Sequence, residues 1–262
     1  MTLQPGKLIL AKDFRSFNPS DIETALWLDA ADASTITESG GAVSQWNDKS
    51  GNGNNVSQAT PANQPTYASS VINSLNVVRF TNTRDNRLAT AAAILTQQSF
   101  GIYAITANRN PSGESSWAGQ YIGLDIGRTL FYQNGVSTRL AAIGSGSGSA
   151  VLTGTADANF HIFGYEAVAG AGNSYTTYYE GEIGVTGTHS SNLISNTTFK
   201  IGDADAGSND FSCQADVAEV IICLAPLSTI ERQKIEGYLA HKWGLTANLP
   251  ADHPYKTVEP TP

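Results

Sequence analysis

The sequence predicts an all-β protein, a two-sheet antiparallel sandwich completed by one C-terminal helix. Three observations carry that expectation. Roughly a dozen short runs alternate apolar and polar residues at period two, turn-forming Gly, Asn, Asp and Ser interrupt them about every 8 to 12 residues, and helical periodicity is convincing only near the C-terminus. No repeat of fixed period is present, which disfavours a solenoid or a propeller. The 262 residues suit one large sandwich core.

Residues 1–20 read as an arm or leader, residues 21–256 as the sandwich and residues 257–262 as a tail. The arm carries Leu8, Ile9, Leu10, Phe14 and Phe17, too apolar a set to stay solvated comfortably, and is expected to anchor on a neighbouring subunit; the alternative is a loose terminus that packs on its own domain. The first strand is expected at Ala25–Asp29. A second run, V-S-Q-W from Val43, ends in the Asn/Gly-rich loop N-D-K-S-G-N-G-N-N. Val78 and Phe80 share one face of the next strand. After it, Phe100, Ile102 and Ala104 alternate against Tyr103 and Ile105, so both faces are apolar, as in a central strand. Further runs fall at Tyr121–Ile126, Thr129–Gln133, Val136–Ile143, Phe160–Val168, Tyr175–Ile183 and Thr198–Gly202, and the Gly/Ser run from Gly144 to Ser149 reads as a hairpin loop between two of them.

The C-terminal stretch is the most explicit. Val217–Leu224 reads as a strand with Ala218, Val220, Ile222 and Leu224 on one face and Glu219 on the other, and Pro226 stops it. Ser228 and Glu231 then form an S-x-x-E capping box for a helix over about Thr229–Trp243. Ile235, Tyr238 and Leu239 share one face of this helix, His241 and Lys242 lie in its last turn, and Gly244 ends it.

Fifteen basic against 23 acidic residues give a net charge of -8 without any Lys/Arg cluster, which argues against nucleic acid or an anionic membrane as a partner. No run approaches the roughly 18 apolar residues of a membrane span, and Met1–Ser20 lacks the pattern of a secretory signal. Cys213 and Cys223, ten residues apart, would lie about 30 Å apart on one continuous strand, so a disulfide between them is not expected.

The segments L-W-L-D-A-A-D-A-S-T-I, V-S-Q-W-N-D-K-S-G-N-G, V-R-F and the closing A-E-V-I-I-C-L-A-P-L-S-T-I-E-R-Q-K-I-E-G-Y-L-A-H-K-W-G-L with L-P-A-D-H-P-Y resemble the concanavalin A-like lectin/glucanase superfamily. The likeness is to its laminin-G-like jelly-roll modules of tailed-phage virion proteins and bacterial surface proteins, over about residues 25–256. The resemblance implies a jelly roll in which the strand at Trp27 lies beside the strand at Val217–Leu224, the helix caps an open end and the L-P-A-D-H-P-Y tail packs on it.

Some members of the superfamily are glycosidases, which need paired carboxylates; Glu180 and Glu182, expected on one face of a strand, are the nearest pair but lack the remaining acids of an E-x-D-x-x-E motif, so no catalytic residue is assigned. His161, on an expected strand, reads as a partly buried hydrogen-bonding residue, and no G-x-S-x-G accompanies the histidines. Asp203, Asp205, Asn209 and Asp210 supply hard oxygen ligands that suit Ca²⁺, although the position where a helical calcium loop carries its bidentate Glu holds Gln214; no other cofactor is indicated. For carbohydrate, Trp27, Trp46 and Trp243 sit in patterned elements and belong to the core, whereas Trp117 lies in a polar loop. Tyr178 and Tyr179 point to opposite faces, so one of them is expected to be exposed.

The chain is therefore expected to be a non-catalytic, lectin-like structural protein on a tailed-phage virion surface, in the tail or as a capsid decoration. Its expected partners are other virion proteins, further copies of itself and a host-surface glycan. The rivals are a secreted or cell-surface carbohydrate-binding adhesion module and a glycosidase.

Overall fold

The computed structural model describes residues 15–81, 83, 85–95, 99–109, 122–123, 129–134, 138–142, 149–153, 157–168, 174–188, 198–202 and 214–262. In chain order its strands are β1 (Thr24–Asp29), β2 (Ile36–Ser39), β3 (Ala42–Trp46), β4 (Val56–Ser57), β5 (Thr66–Ile72), β6 (Leu75–Arg79), β7 (Leu88–Thr90), β8 (Phe100–Asn108) and β9 (Ile122–Gly123). They continue as β10 (Thr129–Asn134), β11 (Thr138–Ala142), β12 (Ser149–Thr153), β13 (Phe160–Val168), β14 (Ser174–Tyr179), β15 (Glu182–Thr188), β16 (Lys200–Ile201) and β17 (Ala215–Cys223), and helix α1 (Thr229–Trp243) follows.

Every pairing among them is antiparallel. One layer runs β1-β17-β8-β13-β14-β15. A second runs β2-β3-β4-β7-β16-β9-β10-β11-β12, and the β5–β6 hairpin joins the two by touching both β3 and β17. The first strand does lie beside the last, with Trp27 opposite Ile221. The pairing of β11 with β12 is the hairpin expected around the Gly/Ser run.

The alternation of β8 explains why it is central. Phe100, Ile102 and Ala104 join Leu26, Leu28, Val78, Phe80, Val220 and Ile222 in a core between the layers, along with fully buried Trp46. Tyr103 and Ile105 point the other way, into a second core with Trp27, Ile221, Ile235, Leu239 and Trp243. The helix therefore lies across the outer face of the first layer instead of capping an open end of the sandwich. The reason is that the outward rows of β1, β8, β13 and β17 are themselves apolar and need covering.

Two strand faces differ from those expected. In β17 the register shifts between Val217 and Glu219, a bulge that turns Ala218 into the outer core, while Val217, Val220 and Ile222 stay inside. Tyr175–Ile183 is not one strand. Glu180 and Gly181, at φ +53° and +84°, form the two-residue turn that folds β14 onto β15, and two positive φ values are the mark of a primed hairpin turn.

The helix keeps the ends read from the sequence. Ser228 and Glu231 make the reciprocal capping box, and Gly244 takes the left-handed conformation at φ +72°. The L-P-A-D-H-P-Y segment does pack on it: His241 Nε2 lies 2.8 Å from the Tyr255 carbonyl, and the buried His253 lies 3.2 Å from Glu236 Oε2. Phe17, expected on an anchoring arm, is buried against Tyr238 of its own domain, and its backbone N–H donates to the Pro260 carbonyl at 2.8 Å. Its ring is thus used inside the fold; Leu8, Ile9, Leu10 and Phe14 lie outside the described residues.

Candidate functional site

At one end of the first layer, five segments distant in sequence border a cleft of about 830 Å³. The start of β13 and the loop before it supply Asp157, Asn159 and His161. The β14–β15 turn supplies Tyr179 and Glu180, the tip of the β5–β6 hairpin supplies Val71 and Ile72, and Leu245 and Asn248 enter just beyond α1. The volume lies within the roughly 300–1,000 Å³ usual for small-molecule sites.

His161 is the hub of this cleft. Its Nδ1 lies 2.5 Å from Glu180 Oε1 and 2.7 Å from the Tyr179 hydroxyl, and its Nε2 lies 2.8 Å from Asp157 Oδ1. Glu180 is held in place by an amide hydrogen from Asn248 at 3.1 Å and by its own backbone N–H, which donates to the Ile162 carbonyl at 3.0 Å. Burial pushes the Asp157 carboxyl up, but hydrogen bonds from His161 and from the backbone and amide of Asn159 outweigh it and leave the group below its ordinary value. Tyr179 is half-buried and lines the cleft, and its ring lies against both His161 and Phe163. At the cleft's other wall, Asp216 is engaged by Arg79 through two hydrogen bonds of 2.7 and 2.8 Å.

The two tyrosines separate as their alternation required, but neither is exposed as expected: Tyr178 is buried and Tyr179 half-buried. Tyr178 is buried on the helix side. Its hydroxyl donates to Glu166 at 3.1 Å, Arg232 lies over its ring, and burial with the nearby Glu166 charge pushes the phenol up to about 12. Tyr178 is thus unavailable to a ligand, and Tyr179 is the one at the cleft.

Glu180 and Glu182, expected on one strand face, are separated by the turn, with Glu180 its first residue and Glu182 the first of β15, and they line different hollows, Glu180 this cleft and Glu182 another beside Ile183 and Gln233. His161 is a buried, hydrogen-bonded strand residue, as its sequence context indicated. Trp117 and the acidic set Asp203, Asp205, Asn209 and Asp210 lie outside the described residues, as does Cys213. Among the described residues no group of three His, Cys, Asp or Glu is placed to hold a metal ion. Cys223 is buried, which pushes its thiol up to about 12 and leaves it inert packing.

Sequence reasoning missed Asp157, Asn159 and Asn248. The one available signal was D-A-N-F-H, an Asx-type turn running straight into a strand that carries a histidine.

No protein-family model and no curated protein matches the chain. Solved structures do. The binding domain of Paraclostridial Mosquitocidal Protein 1 aligns with a TM-score of 0.52 at 10% identity, over 84% of this chain and 53% of that one. Trypanosoma rangeli sialidase in complex with the inhibitor DANA aligns with a TM-score of 0.52 at 13% identity, over 79% of this chain and 31% of that one. The Botulinum Neurotoxin Type G Receptor Binding Domain aligns with a TM-score of 0.50 at 11% identity, over 82% of this chain and 51% of that one. The chain spans about half the length of the two binding domains and about a third of the sialidase. At such identities the likeness is one of fold, an antiparallel β-sandwich.

Proposed function

We propose that the chain is a non-catalytic, lectin-like module of concanavalin A-like jelly-roll type that binds a glycan in the His161 cleft. The observation that carries this reading is the lining itself. An aromatic ring and aliphatic side chains at Tyr179, Val71, Ile72 and Leu245 stand beside amide and carboxylate groups at Asp157, Asn159, Glu180 and Asn248. A sugar ring offers the complementary pattern, C–H faces for the apolar wall and hydroxyls for the acceptors. Two of the structural neighbours are themselves a binding domain and a receptor binding domain, which supports a binding use of this fold.

Against glycosidase chemistry, the acid pair Glu180 and Glu182 is divided between two hollows, and Glu180 is tied to His161 and Asn248. As setting we propose the surface of a tailed-phage particle, in an oligomer with other virion proteins; the closing strand, helix and L-P-A-D-H-P-Y resemblance support it.

A glycan array probed with and without Ca²⁺, using wild type and Asn159→Ala, tests the binding reading. Hits that the variant loses are expected; an array without hits contradicts it. Release of reducing ends from any bound glycan would contradict the non-catalytic part. Antibody labelling of purified particles tests the setting, and particles without label contradict it.

A further inference from the structure

We infer that the ligand is an oligosaccharide long enough to cross the Glu180–Gly181 turn, with one end in the His161 cleft and the other in a second hollow; this rests on the binding reading above. The second hollow, of about 340 Å³, is lined by Glu182, Ile183, Gln233, Pro250, Asp252 and His253, together with Gly181 and Arg232. Its size falls at the lower end of ligand-sized sites, so it suits one end of a longer molecule.

The two hollows are neighbours by construction. Glu180 lines the first and Gly181 the second, and the two residues are consecutive, so their Cα atoms lie about 3.8 Å apart. On the facing loop the same division falls between Asn248 and Pro250. The ridge between the hollows is thus the turn and the single loop pressed against it. It is also rigid. A Cβ placed on Gly181 would meet Leu249 at 3.1 Å, Pro250 at 3.2 Å and His253 at 3.3 Å, and the backbone there has φ +84°, so glycine alone lets the turn seat this deeply.

The second hollow repeats the chemistry of the first. Ile183 is 64% exposed, an apolar platform at the rim, and the exposed carboxylates of Glu182 and Asp252 with the amide of Gln233 offer hydrogen-bond partners around it. One sugar in the His161 cleft would leave all of these unused. A chain of sugars presents alternating hydroxyls and C–H faces along its length and would use both sides of the ridge.

Titration calorimetry with neutral oligosaccharides of glucose, N-acetylglucosamine and mannose, each of two and six units, tests this on wild type, Asn159→Ala and the double variant Glu182→Ala/Gln233→Ala. For the sugar that binds, the six-unit chain should bind about tenfold or more tightly than the two-unit chain, since the second contact is intramolecular. The double variant should remove that advantage and leave two-unit binding unchanged. Equal affinity at both lengths, with binding still lost in Asn159→Ala, would overturn the second subsite while the first stands. No binding at either length would overturn the glycan reading itself and this inference with it.

Discussion

Trp243 and Glu219 meet at the seam between helix and sheet: the indole N–H donates to Glu219 Oε2 at 2.7 Å, and neither side chain is exposed. Lys242 Nζ donates to the same oxygen at 2.7 Å, while Oε1 accepts from the Trp27 indole at 2.7 Å and the Tyr238 hydroxyl at 2.8 Å. One carboxylate therefore ties β1, β17 and α1 together. Burial raises its pKa, and the charge and hydrogen bond of Lys242 work against that rise. Glu219→Gln would replace an acceptor with an amide donor facing other donors, and we expect a loss of about 3–5 kcal/mol in urea unfolding. A loss under about 1 kcal/mol would show that the seam holds without its charge.

Beside this network, Lys49 bridges Asp29 at 2.8 Å and Asp32 at 2.9 Å. Hydrogen bonds from Lys49 and Ser34 lower the Asp32 carboxyl to about 2, from an ordinary 3.8. A carboxyl lowered on folding contributes stability that is present above its unfolded value and lost as pH falls through the folded one. Asp32→Asn should therefore flatten the fall in stability from about pH 4 to about pH 2 while lowering stability modestly at neutral pH. Parallel acid-unfolding curves for the two proteins would contradict this.

The helix contributes as cover for the sheet. Ile235 and Leu239 are fully buried against the outward row of β8 and β17. Replacing either by Ala should cost about 2–5 kcal/mol by chemical denaturation, the range for a buried aliphatic truncation. A change within about 0.5 kcal/mol would mean that this face is not packed.

Gly237 tests the closing tail. In a helix interior Ala is favoured over Gly by about 1 kcal/mol, so Gly237→Ala ought to stabilise an uncovered helix. Here a new Cβ would collide with Tyr255, and we expect net destabilisation with faster proteolysis beyond Pro250. A stabilised variant would show that the tail is not seated.

The elements legible in the sequence were those fixed by local chemistry. Ser228, Glu231 and Gly244 satisfy a helix's end groups with their own atoms, so the helix could be read to the residue. The two-faced β8 was legible because its apolar rows alternate without interruption. Features that depend on partners far along the chain were not. Glu219 reads as an outward charge until Trp27, Tyr238 and Trp243 arrive around it. The bulge at Ala218 leaves no compositional mark, and Glu180-Gly181 is too short a turn signal to break an alternating run. The cleft is the extreme case, since residues 71–72, 157–161, 179–180, 216 and 245–248 meet only through sheet order. Of its members, the sequence singled out His161, Tyr179 and Glu180, each for its own chemistry and none for their company.

A glycan seated in the cleft would lie against His161, and the imidazole itself reports on it. We would record the ring ¹H–¹³C NMR signals of the four histidines, assign His161 by His161→Gln, and titrate in the tightest-binding oligosaccharide. A saturating shift of the His161 signals is expected, while His241, whose ring contacts the Tyr255 carbonyl away from the cleft, stays in place. A glycan that binds and leaves His161 unmoved would contradict it.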